Sequence, residues 1–89
     1  MNIEVLFFGQ LRELTEVRST TLQINNDSSL NDLIEHLCGV YGNAFRNRID
    51  NIQGLRILIN GIEYTRLGGL ETVVNENDTV VFLPPIAGG

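Results

Sequence analysis

Between Ser29 and Gly42 one run of the chain is patterned for a helix, and the segments on either side are patterned for strands; that order limits the fold more than any other feature. Leu30, Leu33, Ile34, Leu37 and Tyr41 keep i, i+3, i+4, i+7 spacing, which puts them on one apolar face. Ser29 followed by Asp32 has the form of a capping box, and Gly42 is placed to close the helix. A lone amphipathic helix cannot bury its stripe on itself, so the strands must supply the opposing surface.

Ile3, Val5 and Phe7 alternate with Glu4, Leu6 and Phe8, a strand whose second half is apolar on both faces and so reads as an inner strand. Gly9 to Thr15 follows as a turn or short helix, with Leu11 and Leu14 three apart. Thr20 to Ile24 returns as a second strand, giving an antiparallel hairpin with the first. Beyond the helix, Asn43 to Gln53 is polar and fits neither pattern. Leu55, Ile57 and Ile59 then alternate, Asn60-Gly61 signals a tight hairpin, and Ile62 to Tyr64 reads as a short strand. Gly68-Gly69 is an internal turn, and Asn75 to Asp78 is a polar turn before a last strand, Thr79 to Leu83. The order predicts an α+β domain, a mixed sheet with one main helix packed across it. If the first and last strands lie side by side at the centre, the layout is the β-grasp of ubiquitin.

Val80 to Leu83 is an apolar run of strand formers, so residues 84–89 leave directly from the core over residues 1–83. Pro84 and Pro85 each fix φ and remove a ladder donor, which ends the strand and sends the chain outward, stiff at its base. Gly88-Gly89 then offers backbone without Cβ atoms, able to enter a tunnel too narrow for side chains. A terminal carboxylate on Gly89 is ionised at neutral pH, with an ordinary pKa of about 3.5, and is inert to nucleophiles until activated. ATP activates such a group as an acyl-adenylate.

Eighty-nine residues make one small domain that buries roughly two thirds of the surface its unfolded chain exposes. That leaves no room for an active-site cleft of its own. The opening Met1-Asn2-Ile3-Glu4 has neither a basic region nor a long apolar stretch, and no segment has the apolar length of a membrane span. The expectation is a soluble cytoplasmic protein. The single cysteine, Cys38, cannot form an internal disulfide and falls on the apolar helix face as a small buried hydrophobe. The lone histidine, His36, has no cluster at ligand spacing and reads as a surface helix residue, so no metal site is argued. Net charge is −5, and the six positive charges are all arginines, scattered over positions 12, 18, 46, 48, 56 and 66. They form no basic stripe in the sequence, which gives nucleic-acid binding no electrostatic support. With no lysine, the chain has no side-chain amine to accept a second copy through an isopeptide bond.

Two stretches, Val5-Leu6-Phe7-Phe8-Gly9-Gln10-Leu11-Arg12-Glu13-Leu14 and Asn77 to Gly89 with its Pro-Pro-Ile-Ala-Gly-Gly ending, resemble the MoaD family of ubiquitin-like sulfur carriers. The paired prolines make the ending more similar to MoaD than to the thiamine carrier ThiS. The resemblance implies a β-grasp fold and a sulfur-carrier cycle. An activating adenylyltransferase of the MoeB kind uses ATP to adenylylate Gly89, sulfur replaces the adenylate, and the thiocarboxylate enters a MoaE-like large subunit to supply sulfur for molybdopterin. No cofactor is held by the carrier itself. Gly88 is then the narrow neck, and Phe8, Arg12, Leu83, Pro84, Pro85, Ile86 and Ala87 are candidate partner contacts. Phe8 serves either the core or docking, and Arg12 either pairs with a partner's carboxylate or caps the short helix. The same resemblance leaves other acceptors open: a tRNA base, a thiamine or cysteine precursor, or a protein lysine as in a ubiquitin-like modifier.

Overall fold

The computed structural model describes residues 1–85. A five-stranded mixed sheet is formed by β1 (Asn2–Phe7), β2 (Ser19–Gln23), β3 (Arg56–Ile59), β4 (Ile62–Glu63) and β5 (Thr79–Leu83), in the order β2-β1-β5-β3-β4. The first and last strands are parallel neighbours at the centre, with Val5 opposite Val80 and Phe7 opposite Phe82. β2 flanks β1 and the β3–β4 hairpin flanks β5, all in antiparallel pairs. This is the β-grasp arrangement expected from the element order.

Helix α1 (Gly9–Thr15) follows β1 at once, and α2 (Leu30–Tyr41) is the helix that the sequence pattern marks. The Ser29 hydroxyl accepts a hydrogen bond from Asp32 N (3.1 Å) while the Asp32 carboxylate accepts one from Ser29 N (3.0 Å), closing the capping box. Leu30, Leu33, Ile34, Leu37 and Cys38 are buried, and His36 is exposed. They meet Ile3, Val5, Phe7, Ile57, Ile59, Val80 and Phe82, the buried alternate positions of the three central strands, in one core cluster.

The polar stretch after Gly42 forms a further helix, α3 (Asn43–Asn51), which the sequence reading left unassigned. Its apolar content is thin: Phe45 is fully buried, while Ile49 and the following Ile52 pack partly against the core. Phe45 makes the helix worth forming, because its ring completes an aromatic cluster. Phe7 lies edge-on to Tyr41 and Phe45 at centroid distances of 5.7 and 5.9 Å, and 5.8 Å from Phe82. Such contacts add about 0.5–1.5 kcal/mol each beyond area burial. They tie α2 and α3 to β1 and β5 at the end of the sheet where Pro84 leaves.

Asn60 and Gly61 both have positive φ, 51° and 83°, as a type I′ hairpin requires between β3 and β4. The returning strand is shorter than expected, because Tyr64 already belongs to a 3-10 turn, Tyr64–Arg66. Gly68 and Gly69 form the expected turn, and a second 3-10 turn spans Gly69–Glu71. No helix among the described residues is long and apolar enough to cross a membrane.

Candidate functional site: the root of the C-terminal tail

Leu83 is the last residue of β5, paired with Arg56 of β3. Proline ends the ladder there, and the two prolines come to rest on two glycines. A Cβ built on Gly9 would lie 3.3 Å from Pro84 Cγ, and one on Gly54 would lie 3.7 Å from Pro85 Cγ. Both glycines have positive φ, 57° and 75°, so each is needed for backbone conformation, and Gly9 for space as well. Gly9 opens α1 directly after β1, and Gly54 lies in the turn before β3. The segment that the sequence predicts to be stiff at its base is therefore seated between two loops of the domain.

Phe8 and Arg12 are brought to this same end. Phe8 N donates to Phe82 O (3.3 Å), extending the β1–β5 pairing by one residue to the point where the chain turns outward. The Phe8 ring is half-buried and points to the sheet face opposite the core, since Phe7 before it is fully buried. Arg12 Nε donates to Phe7 O (3.0 Å), and its guanidinium carbon stands 4.8 Å from the centre of the Phe8 ring. Arg12 thus acts as a stitch from α1 to the end of β1 and stacks on Phe8; it does not cap its own helix. Cation–π contact at a half-exposed site contributes about 0.5–1 kcal/mol and fixes the ring's direction.

Behind Phe8 runs a strip that sequence reasoning missed. Leu6, Val81 and Leu58 lie in register across β1, β5 and β3, all half-buried, on the face away from the helices, and Leu83 continues the strip at the tail end. Its signal was present as the two-faced apolarity of β1 and β5. At β1 that pattern marks an inner strand, which it is, but on both strands it also leaves apolar side chains on the uncovered face. Arg56 borders the strip and is ion-paired to Glu63 on the neighbouring strand. A half-exposed apolar strip leading to a chain exit is a surface able to dock a partner beside the tail. Ile86, Ala87, Gly88 and Gly89 lie outside the described residues.

Cys38 has no part in this site. It is buried on α2, and burial pushes its thiol pKa above the ordinary 9.0, with Glu35 and Asp50 adding to the rise and Arg46 opposing it. A thiol held protonated in this way is a packing group rather than a nucleophile.

A five-stranded β-grasp sheet whose central strand ends in a seated pair of prolines defines a ubiquitin-like domain. The chain belongs to the ThiS family, whose model matches residues 5–89. It is 29% identical over 90 residues to the molybdopterin synthase sulfur carrier subunit of Mycobacterium tuberculosis, covering 100% of this chain and 99% of that one. It is 28% identical over 92 residues to small archaeal modifier protein 3 of Haloferax volcanii, covering 100% of both. Among solved structures, small archaeal modifier protein 1 of Methanosarcina acetivorans matches with a TM-score of 0.77 at 26% identity, over 99% of this chain and 96% of that one. The resemblance to MoaD-type carriers seen in the two ends of the sequence thus holds over the whole chain.

Proposed function

We propose that this chain is a sulfur carrier whose Gly89 carboxylate is adenylylated and then converted to a thiocarboxylate that supplies sulfur for molybdopterin. The observation that carries the reading is the seat of the tail root: Pro84 on Gly9 and Pro85 on Gly54, at the end of the central strand, beside Phe8, Leu83 and Arg12. A tail aimed by the fold in this way can deliver its last residues into another protein's active site.

The chemistry divides between the chain and its partners. A MoeB-like adenylyltransferase supplies ATP and the site where a Gly89 carboxylate oxygen attacks the α-phosphorus, expelling pyrophosphate. A sulfur nucleophile then attacks the acyl carbon and expels AMP, leaving the thiocarboxylate. In a MoaE-like large subunit that sulfur bonds to the precursor, and water then cleaves the acyl–sulfur bond and returns the Gly89 carboxylate. This chain supplies the acyl group, the narrow Gly88 neck and the docking strip, and binds no cofactor of its own. Its similarity along its full length to a molybdopterin synthase carrier subunit supports the choice of pathway.

The test is reconstitution. The thiocarboxylate form, mixed with a MoaE-like subunit and the pterin precursor, is expected to yield molybdopterin; no product with a subunit active on its own carrier would overturn the assignment. The full-length similarity to a small archaeal modifier protein favours a second reading, a ubiquitin-like modifier or a carrier for another pathway. Conjugates that survive reductant and vanish when Gly89 is deleted would establish the modifier reading.

A further inference from the structure

An open groove of about 550 Å³ lies between α1 and α3 and runs up to Pro85 at the tail root. Its polar lining is Gln10, Asn47, Arg48, Asn51 and Gln53, with Leu14 and Ile52 supplying an apolar side. The chain has eleven carboxylate residues and a net charge of −5, yet none of the eleven lines this groove, and Arg48 does. Arg48 Nη1 donates to the Gln10 carboxamide, which holds the guanidinium across the groove from α3 towards α1. One nitrogen is used in this way, and the rest of the planar fork keeps its capacity to pair with a carboxylate.

Four carboxamides beside one arginine make a particular chemistry. Carboxamides present both donors and acceptors, which suit the peptide groups of an extended strand irrespective of its side chains. The guanidinium adds a preference for negative charge, and the electrostatic contrast with the acidic remainder of the surface favours approach at this place. Pro85 makes the groove continuous with the chain that any activating enzyme must thread. We propose that this groove receives an extended acidic segment of the adenylyltransferase that activates Gly89, with Arg48 pairing to its carboxylate. The inference rests on the reading of Gly89 as the activated residue, and it is the same whether the activated chain later serves as carrier or as modifier.

The test is ATP–pyrophosphate exchange by the cognate adenylyltransferase as the concentration of this chain is varied. Arg48→Glu is expected to raise KM for the chain by roughly tenfold while kcat stays within about twofold, as for a binding contact remote from the reacting atoms. Asn47→Asp adds a carboxylate to the groove without touching the Arg48–Gln10 bond, and is expected to raise KM in the same direction, by about threefold or more. Arg66→Glu changes charge equally at a residue of the turn after β4 that does not line the groove, and should leave KM within about twofold. The raised KM should fall back towards the wild-type ratio in high salt, as screened repulsion requires. Equal KM values for Arg48→Glu, Asn47→Asp and Arg66→Glu would overturn the groove assignment alone. No exchange with the wild-type chain, by an enzyme active on another carrier, would instead overturn the reading of Gly89 and the groove assignment with it.

Discussion

The two glycines under the prolines are the residues on which the account most depends. At Gly9 a methyl group meets two obstacles, a φ of 57° and Pro84 Cγ at 3.3 Å, whereas at Gly54 the φ of 75° is joined only by ordinary contact with Pro85 at 3.7 Å. Gly9→Ala is therefore expected to cost about 1–3 kcal/mol and Gly54→Ala about 1 kcal/mol, the order being the informative part. Urea unfolding checks both, and a wild-type midpoint for Gly9→Ala would mean that Pro84 is not seated there. At Cys38 the raised thiol pKa has a definite sign. The unfolded chain ionises its thiol near 9.0 while the folded chain keeps it protonated, so the group's contribution to stability is complete below that pH and is lost as pH rises through the folded pKa. Unfolding free energy measured from pH 7 upward should decline beyond about pH 9, and Cys38→Ala should lack that part of the decline. An equal decline in both proteins would contradict the assignment of the shift to Cys38.

At the scale of elements, the contest is between strong local patterns and isolated anchors. Helix α3 is anchored by the fully buried Phe45, and removing that ring should open a cavity under the tail root. Phe45→Ala is expected to cost about 3–5 kcal/mol in urea unfolding, a large share of a small domain's stability, and a loss below about 1 kcal/mol would mean that α3 is not held by this contact. The same facts explain what could be read in advance. Helix α2 was legible because its stripe, capping box and closing glycine agree, and the β3–β4 hairpin because Asn60-Gly61 names its turn. Helix α3 was not, since Phe45, Ile49 and Ile52 are sparse among polar residues, and a stripe of that density gains its meaning only from the core it meets. Of the site, the proline stop could be identified from local pattern, while Phe8, Arg12 and Leu83 entered only through the resemblance. The seats at Gly9 and Gly54, the Arg12–Phe8 stacking and the Leu6–Val81–Leu58 strip are products of strand order, which brings together residues far apart in the chain.

At the scale of the molecule, the parallel pairing of β1 with β5 organises everything near the tail. It sets Phe8 beside Phe82, directs Pro84 onto the residue that begins α1, and places the apolar strip and the α1–α3 groove beside one exit. Arginines that form no stripe in the sequence are redistributed by the fold: Arg12 stacks on Phe8, Arg48 lines the groove with Pro85, and Arg56 pairs across from Leu83. An acidic domain thereby keeps cationic groups where its tail departs. On the proposed function, this architecture presents Gly89 for activation. The purified chain, incubated with ATP, its adenylyltransferase and a sulfur donor, should gain the mass that corresponds to replacing one oxygen by sulfur, as read on the intact protein. The gain should disappear when Gly89 is deleted and in Gly88→Val, where a branched side chain blocks the narrow neck. An unchanged mass, with an enzyme that modifies a known carrier in the same tube, would contradict the account.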